Sequence, residues 1–215
     1  MTAGRPDRLP RAQRGGLTAG VVALLLAVGA AGRPAAAQMS VRLSLGGRYA
    51  TALVKDSIVV PIALRPSVAP ALTLSVRDEL RGPWTADATL DLSPARLHRE
   101  ESGTRSDAGS FTAIAFTLGL RRELHAGVAA RLGFGGLVYS TEHAGVFQRG
   151  SGGVFPLVGL GASYAPSFGA RHRLELGLSY DVHRFITPAL RATGFPRPRP
   201  VHRVAVTVSG RLLGR

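Results

Sequence analysis

The chain contains no cysteine and no asparagine, and Lys55 is its single lysine. The missing thiols exclude disulfides, thiolate metal sites and a lipid-modified cysteine anchor together. Beyond the N-terminal leader no segment holds 18 consecutive apolar residues, so a bundle of membrane-spanning helices is excluded as well. Lysine and asparagine are scarce while arginine is abundant, and this skew bears on the net charge of +14. Such a charge would ordinarily raise nucleic acid as a partner. Here the arginines are spread along the chain with no dense cluster on one helix and no aromatic-rich RNA motif. No nucleic-acid partner is expected.

What is present begins with a leader. Arg5, Arg8, Arg11 and Arg14 precede an apolar stretch from Leu17 to Ala31, and Ala35 and Ala37 form an A-x-A site. This pattern predicts a signal peptide over residues 1–37, cleaved before Gln38, because the stretch is shorter than the ~20 residues a spanning helix needs. The leader holds five Arg and one Asp, so the mature domain, residues 38–215, keeps a charge of +10.

The mature chain alternates. Between Arg171 and Phe185 the even positions are His172, Leu174, Leu176, Leu178, Tyr180 and Val182, and the odd ones are Arg173, Glu175, Gly177, Ser179, Asp181 and His183. Period two is the signature of a strand whose faces meet different surroundings. Seven further segments repeat it: Val41–Thr51, Ser67–Arg77, Trp84–Ser93, Phe111–Arg122, Val128–Ser140, Phe155–Ala165 and His202–Leu213. Each is near the ~9–11 residues a tilted strand needs to cross hydrocarbon, and an even number lets the sheet close without an edge in lipid.

The connections alternate too. Asp78–Pro83, Glu123–Gly127 and Pro166–Ala170 are short, whereas Val54–Pro66, Pro94–Ser110, Thr141–Val154 and Arg184–Val201 are long. The fold expected is therefore an all-β, eight-stranded antiparallel up-and-down transmembrane β-barrel with short periplasmic turns and longer extracellular loops. Tyr49, Trp84, Tyr164 and Tyr180 fall at the ends of the apolar faces, where interfacial aromatics sit. A secreted soluble ligand-binding barrel would invert the faces. Against it, the polar faces are rich in Gly, Ala, Ser and Thr, as a crowded lumen requires.

The inward register collects Arg42, Arg48, Arg77, Arg121, Arg131, Arg173, Arg203 and Arg211 with Asp87, Asp91, Glu175 and Asp181. Eight strands leave an interior that side chains nearly fill, and confined charges must be paired or hydrated. The expectation is a plug of Arg–carboxylate pairs such as Arg173 or Arg131 with Asp87, Asp91 or Glu175. The alternative is a narrow anion-preferring path, because arginines outnumber acids eight to four in that register. Ser179, Asp181 and His183 share a face, but successive same-face residues lie ~7 Å apart, too far for a Ser–His hydrogen bond across two steps. No enzymatic activity, metal or other cofactor is expected.

The loops are the remaining seat of function. Arg184, Arg191, Arg197 and Arg199 make the last connection basic and able to bridge lipopolysaccharide phosphates. Ser57-Ile58-Val59-Val60-Pro61-Ile62-Ala63 in the first connection is apolar and can extend the wall or offer an edge to a partner.

By its eight alternating segments, its alternating connections, its leader and its aromatic placement, the chain resembles the OmpA/OmpX-like family of small outer-membrane barrels. The resemblance spans Val41–Leu213 and is architectural. It implies an outer-membrane monomer in a diderm bacterium, in contact with outer-membrane lipid and lipopolysaccharide and inserted by the outer-membrane assembly machinery. It further implies a structural, surface-interaction or adhesion role toward an extracellular ligand or surface. Two features depart from the family. The sequence carries no peptidoglycan-binding domain after the last strand, and that strand ends Leu212-Leu213-Gly214-Arg215 in place of the aromatic the machinery reads.

Overall fold

The computed structural model describes residues 39–56, 61–141, 153–166, 174–195 and 197–213. Within them the chain forms β1 (Ser40–Ala50), β2 (Val54–Asp56), β3 (Ile62–Pro66), β4 (Ala69–Glu79), β5 (Trp84–Glu101) and β6 (Thr104–His125). These are followed by β7 (Val128–Thr141), β8 (Phe155–Tyr164), β9 (Glu175–Phe185), the short helix α1 (Pro188–Ala192) and β10 (Arg199–Leu213). Eight strands close a ring. Each of β4 to β9 pairs antiparallel with the next, and β1 joins β4 on one side and β10 on the other. The closed ring satisfies every ladder internally, which is the condition for a sheet in hydrocarbon.

The two faces sort as a membrane barrel demands and opposite to a soluble one. Leu132 and Phe134 on β7 are 58 % and 66 % exposed, alongside Leu176, Leu178, Val206 and Leu160 on neighbouring strands, while Arg42 and Arg203 are 4 % and 2 % exposed. No monomer in water would leave such a belt open while enclosing guanidinium groups. On β5 the outward run from Trp84 to Pro94 covers about ten residues. At ~3.3 Å rise and ~40° tilt it spans about 25 Å, the height of a lipid-facing band. Trp84 closes the belt at the short-turn end with Arg122 5.3 Å from its ring. At the other end Tyr180 stacks on His202, its hydroxyl 2.6 Å from Nδ1. Tyr49 and Tyr164 are likewise exposed at belt ends.

Two long connections are not loops. Pro94–Ser110 continues β5 and β6 as a ribbon that turns only at Ser102-Gly103, with a bulge between Arg96 and His98. Val54–Pro66 contains β2 and β3, and β3 extends the wall by pairing with the far end of β5. Alternation hides these strands because beyond the belt the outer face meets water and only a few of their side chains, Val54, Ala63, Pro66 and Leu97, are buried, so hydrogen bonding continues without a regular apolar period. Arg65–Glu100 and Arg99–Glu101 ion pairs (2.8 and 2.6 Å) decorate this ribbon. The described part of the seventh barrel strand begins at Glu175. Arg173 and Ser57–Val60 lie outside the described residues.

Candidate functional site: a two-tier lumen

Register places the inward charges at three meeting points. Glu175 on β9 receives Arg121 from β6 at 2.6 Å, both ends of Arg77 from β4 at 2.8 and 3.0 Å, and Arg42 from β1 at 3.3 Å. Asp91 on β5 binds Arg48 of β1, Arg203 of β10 at 3.3 Å, Thr73 at 2.8 Å and Ser93 at 3.1 Å. Asp87 accepts from Arg131 Nε at 2.6 Å, and the same guanidinium donates to Thr117 Oγ1 at 2.8 Å. Asp181 lies 3.9 Å from Arg48. Arg211 shares the inward register but is exposed at the rim.

The glycines opposite these groups make room for them. Asp87 faces Gly119 across the β5–β6 ladder, and Asp181 faces Gly159 across β8–β9. A Cβ at Gly119 would strike Asp87 Oδ1 and Arg131 Nη2, and one at Gly159 would strike Asp181 Oδ1. Gly119 on β6 and Gly159 on β8 are thus space for lumenal carboxylates, and Gly133 on β7 for the Arg131 side chain. Between the meeting points lies a cavity of about 130 Å³ lined by hydroxyls and charges, including Ser75, Thr89, Ser163, Arg77 and Arg121.

Toward the long connections the lumen changes character. Phe111, Leu137, Tyr139, Phe155, Leu157, Phe185 and Val201 pack into one buried cluster with Leu53, Val54 and Leu97. Phe111 and Phe185 meet Tyr139 edge-on at 5.2 and 5.4 Å, and Phe155 lies 5.4 Å from Phe185. The Tyr139 hydroxyl reaches His183 Nε2 at 2.9 Å. His183 is therefore engaged away from Ser179. Among the described residues, no group of three or more His, Asp or Glu side chains is placed to hold a metal ion.

The last connection folds onto this cluster. Thr187, fully buried, caps α1 by accepting from Leu190 N–H at 3.3 Å, and Leu190 and Phe195 pack on the aromatics. Arg184, Arg191 and Arg197 are left exposed and Arg199 half-buried. The sequence carried a signal for this tier. Leu137-Val138-Tyr139 and Phe155-Pro156-Leu157-Val158 are apolar on both faces, a break in alternation that marks where the lumen becomes dry.

No family model matches the chain, and no curated protein does. The solved structures the chain is similar to include three small outer-membrane β-barrels. Ail, the attachment invasion locus protein of Yersinia pestis, is 14 % identical with a TM-score of 0.47, over 81 % of this chain and 99 % of that one. OprG from Pseudomonas aeruginosa is 8 % identical with a TM-score of 0.47, over 82 % and 96 %. AlkL, solved in lipid bilayers, is 12 % identical with a TM-score of 0.46, over 85 % and 94 %.

Proposed function

We propose that this chain is a non-enzymatic outer-membrane β-barrel with a plugged lumen, which acts structurally or as a surface-interaction and adhesion protein through its long-connection rim. The observation that carries this reading is the filled interior: ion pairs cross one half of the tube and packed aromatics close the other. A tube filled in this way is a rigid post, and what it presents to a partner is its rim. There the chain raises the β2–β3 and β5–β6 ribbons on one side and the basic α1 connection on the other. The segment 184–203 contains five arginines and no acid. Arg184, Arg191, Arg197 and Arg199 suit the phosphates of lipopolysaccharide or an acidic extracellular surface. The barrel works as a monomer, exported by a cleaved leader and inserted by the outer-membrane assembly machinery.

A narrow anion-preferring channel is the second reading, favoured by six lumenal arginines set against four carboxylates among the described residues. Planar-bilayer recording separates the two. The plug predicts no resolved conductance steps, and stable anion-selective steps would replace it with the channel. For the rim, a triple Arg184→Ala, Arg191→Ala, Arg197→Ala variant is expected to lose binding to lipopolysaccharide micelles while keeping its heat-modifiable gel mobility. Unchanged binding would remove the basic connection from the contact.

A further inference from the structure

One corner of the outer wall, at the long-connection end of the belt, carries cations and no acid. Residues 40–55 around β1, Phe155–Tyr164 on β8 and residues 184–213 through β10 contain no Asp or Glu. On β9 the acids Glu175 and Asp181 are turned into the lumen, beside Arg121 and Arg48. In this corner three outward side chains stand in a column. Register sets His202 opposite Val182, so its diagonal neighbours on the same face are Tyr180 toward the belt and Arg184 away from it. Such diagonals are about 7–8 Å apart, within reach of long and aromatic side chains.

His202 is held in place from two sides. Its N–H donates to Thr51 Oγ1 at 3.0 Å and its carbonyl accepts from Thr51 N–H at 2.9 Å. Its ring lies 26° from the plane of Tyr180, with the phenol oxygen 2.6 Å from Nδ1. An interfacial tyrosine ordinarily turns its hydroxyl to water or headgroups. Here the hydroxyl is spent on the imidazole, and with the phenol donating to Nδ1 the ring hydrogen sits on Nε2. That nitrogen has no partner among the described residues, and no described carboxylate pairs with the exposed Arg184. A guanidinium beside a fixed N–H, with no competing acid, suits an oxyanion. Toward the belt the exposed Leu178, Val206 and Val208 continue the lipid-facing surface. A lipid whose chains lie along them brings its headgroup to the column.

We propose that Arg184 and His202, with Tyr180 positioning the imidazole, form a site on the barrel wall for the phosphate monoester of an outer-leaflet lipid. The site rests on the outer-membrane reading and deepens the lipopolysaccharide contact proposed for the last connection, since it places the phosphate on the wall and adds His202 and Tyr180 to Arg184.

The test is native mass spectrometry of the full chain released from zwitterionic micelles doped with lysophosphatidic acid, a lipid that carries a phosphate monoester. Saturable retention of one such lipid per barrel is expected. Arg184→Gln is expected to weaken it roughly tenfold, the loss that goes with a charge-assisted hydrogen bond. His202→Phe is expected to weaken it severalfold. Tyr180→Phe keeps the stacked ring, and it is expected to weaken retention severalfold while shifting the His202 ring-nitrogen resonances toward mixed tautomers. The pair Arg191→Ala, Arg197→Ala is expected to retain the lipid as the wild type does. All these side chains lie on the outer surface, and heat-modifiable gel mobility verifies that each variant is folded. Equal retention by wild type, Arg184→Gln and His202→Phe would overturn the site. Loss in the Arg191→Ala, Arg197→Ala pair alone would overturn it too, yet leave the basic connection as the contact, so the two readings can fail separately. Equal retention of lysophosphatidylglycerol would overturn the monoester, and displacement by an equal concentration of inorganic phosphate would overturn the lipid source.

Discussion

From the short-turn end to beyond the middle of the lumen, three carboxylates gather arginines from five strands: β1, β4, β6, β7 and β10. Nearer the long connections, aromatic and branched side chains from β6, β7, β8, β9 and β10 fill the same diameter, with Arg48 and Arg203 bordering Phe111 and Tyr139. Both halves tie opposite walls together, but they do so by different physics. The aromatic half gains free energy from packing and loses it in proportion to the volume removed. The charged half gains little net energy from each pair, since desolvation offsets attraction, yet it is intolerant of losing one partner. The charged half therefore holds register through complementarity, and the aromatic half blocks the tube.

The largest expected effect tests that intolerance. Asp91→Asn leaves Arg48 and the almost fully buried Arg203 without their shared carboxylate. It is expected to lower stability by about 3–5 kcal/mol in urea titrations of the barrel in lipid vesicles. A loss below about 1 kcal/mol, the level of an exposed pair, would mean the charged half is hydrated and not a true counterpart of the core.

Phe155→Ala is the matching cut in the aromatic half, where Phe155 contacts Tyr139 and Phe185. It is expected to cost about 3–5 kcal/mol by the same titration. It should also produce conductance steps absent from the wild type, while Asp91→Asn should not. Steps in Asp91→Asn alone would exchange the roles of the two halves.

Next in size is the contrast between inside and outside. Leu132→Arg, in the middle of the exposed belt, is expected to cost about 2–4 kcal/mol in lipid vesicles because the charge meets hydrocarbon. No loss, with the protein recovered soluble without detergent, would make the exposed face a water-facing one. The smallest effect is expected from Arg65→Ala, which breaks the half-exposed pair with Glu100 on the ribbon above the membrane. Within the same titration it should shift stability by at most about 1 kcal/mol.

How much of this was legible beforehand follows from what period two can encode. Leu174, Leu176, Leu178 and Tyr180 against Glu175, Gly177, Ser179 and Asp181 name a strand and its two faces with no knowledge of its neighbours. Residues 94–110 lost that signal once the outer face met water and the inner face kept only Leu97 fully buried, although their backbone hydrogen bonds run on to Ser102-Gly103. Leu190 and Phe195 stand among Arg and Pro in a segment that composition marks as an exposed basic loop, and only the fold shows them packed on Tyr139 and its partners. Tyr139 and Phe185 were hidden for a related reason: inward aromatics make a strand apolar on both sides, which period two records only as a defect.

The sequence by itself determined the strands, their inward and outward faces and the set of charges that enter the lumen, because each depends on local alternation. Which arginine meets which acid, and whether the tube is open or closed, depend on ring closure and register. Glu175 reaches Arg77 and Arg121, 98 and 54 residues away in the chain, only because β9 stands across the closed barrel from β4 and β6. Tertiary structure decided those partners, since a shift of one residue in any ladder would turn the same side chains out into lipid.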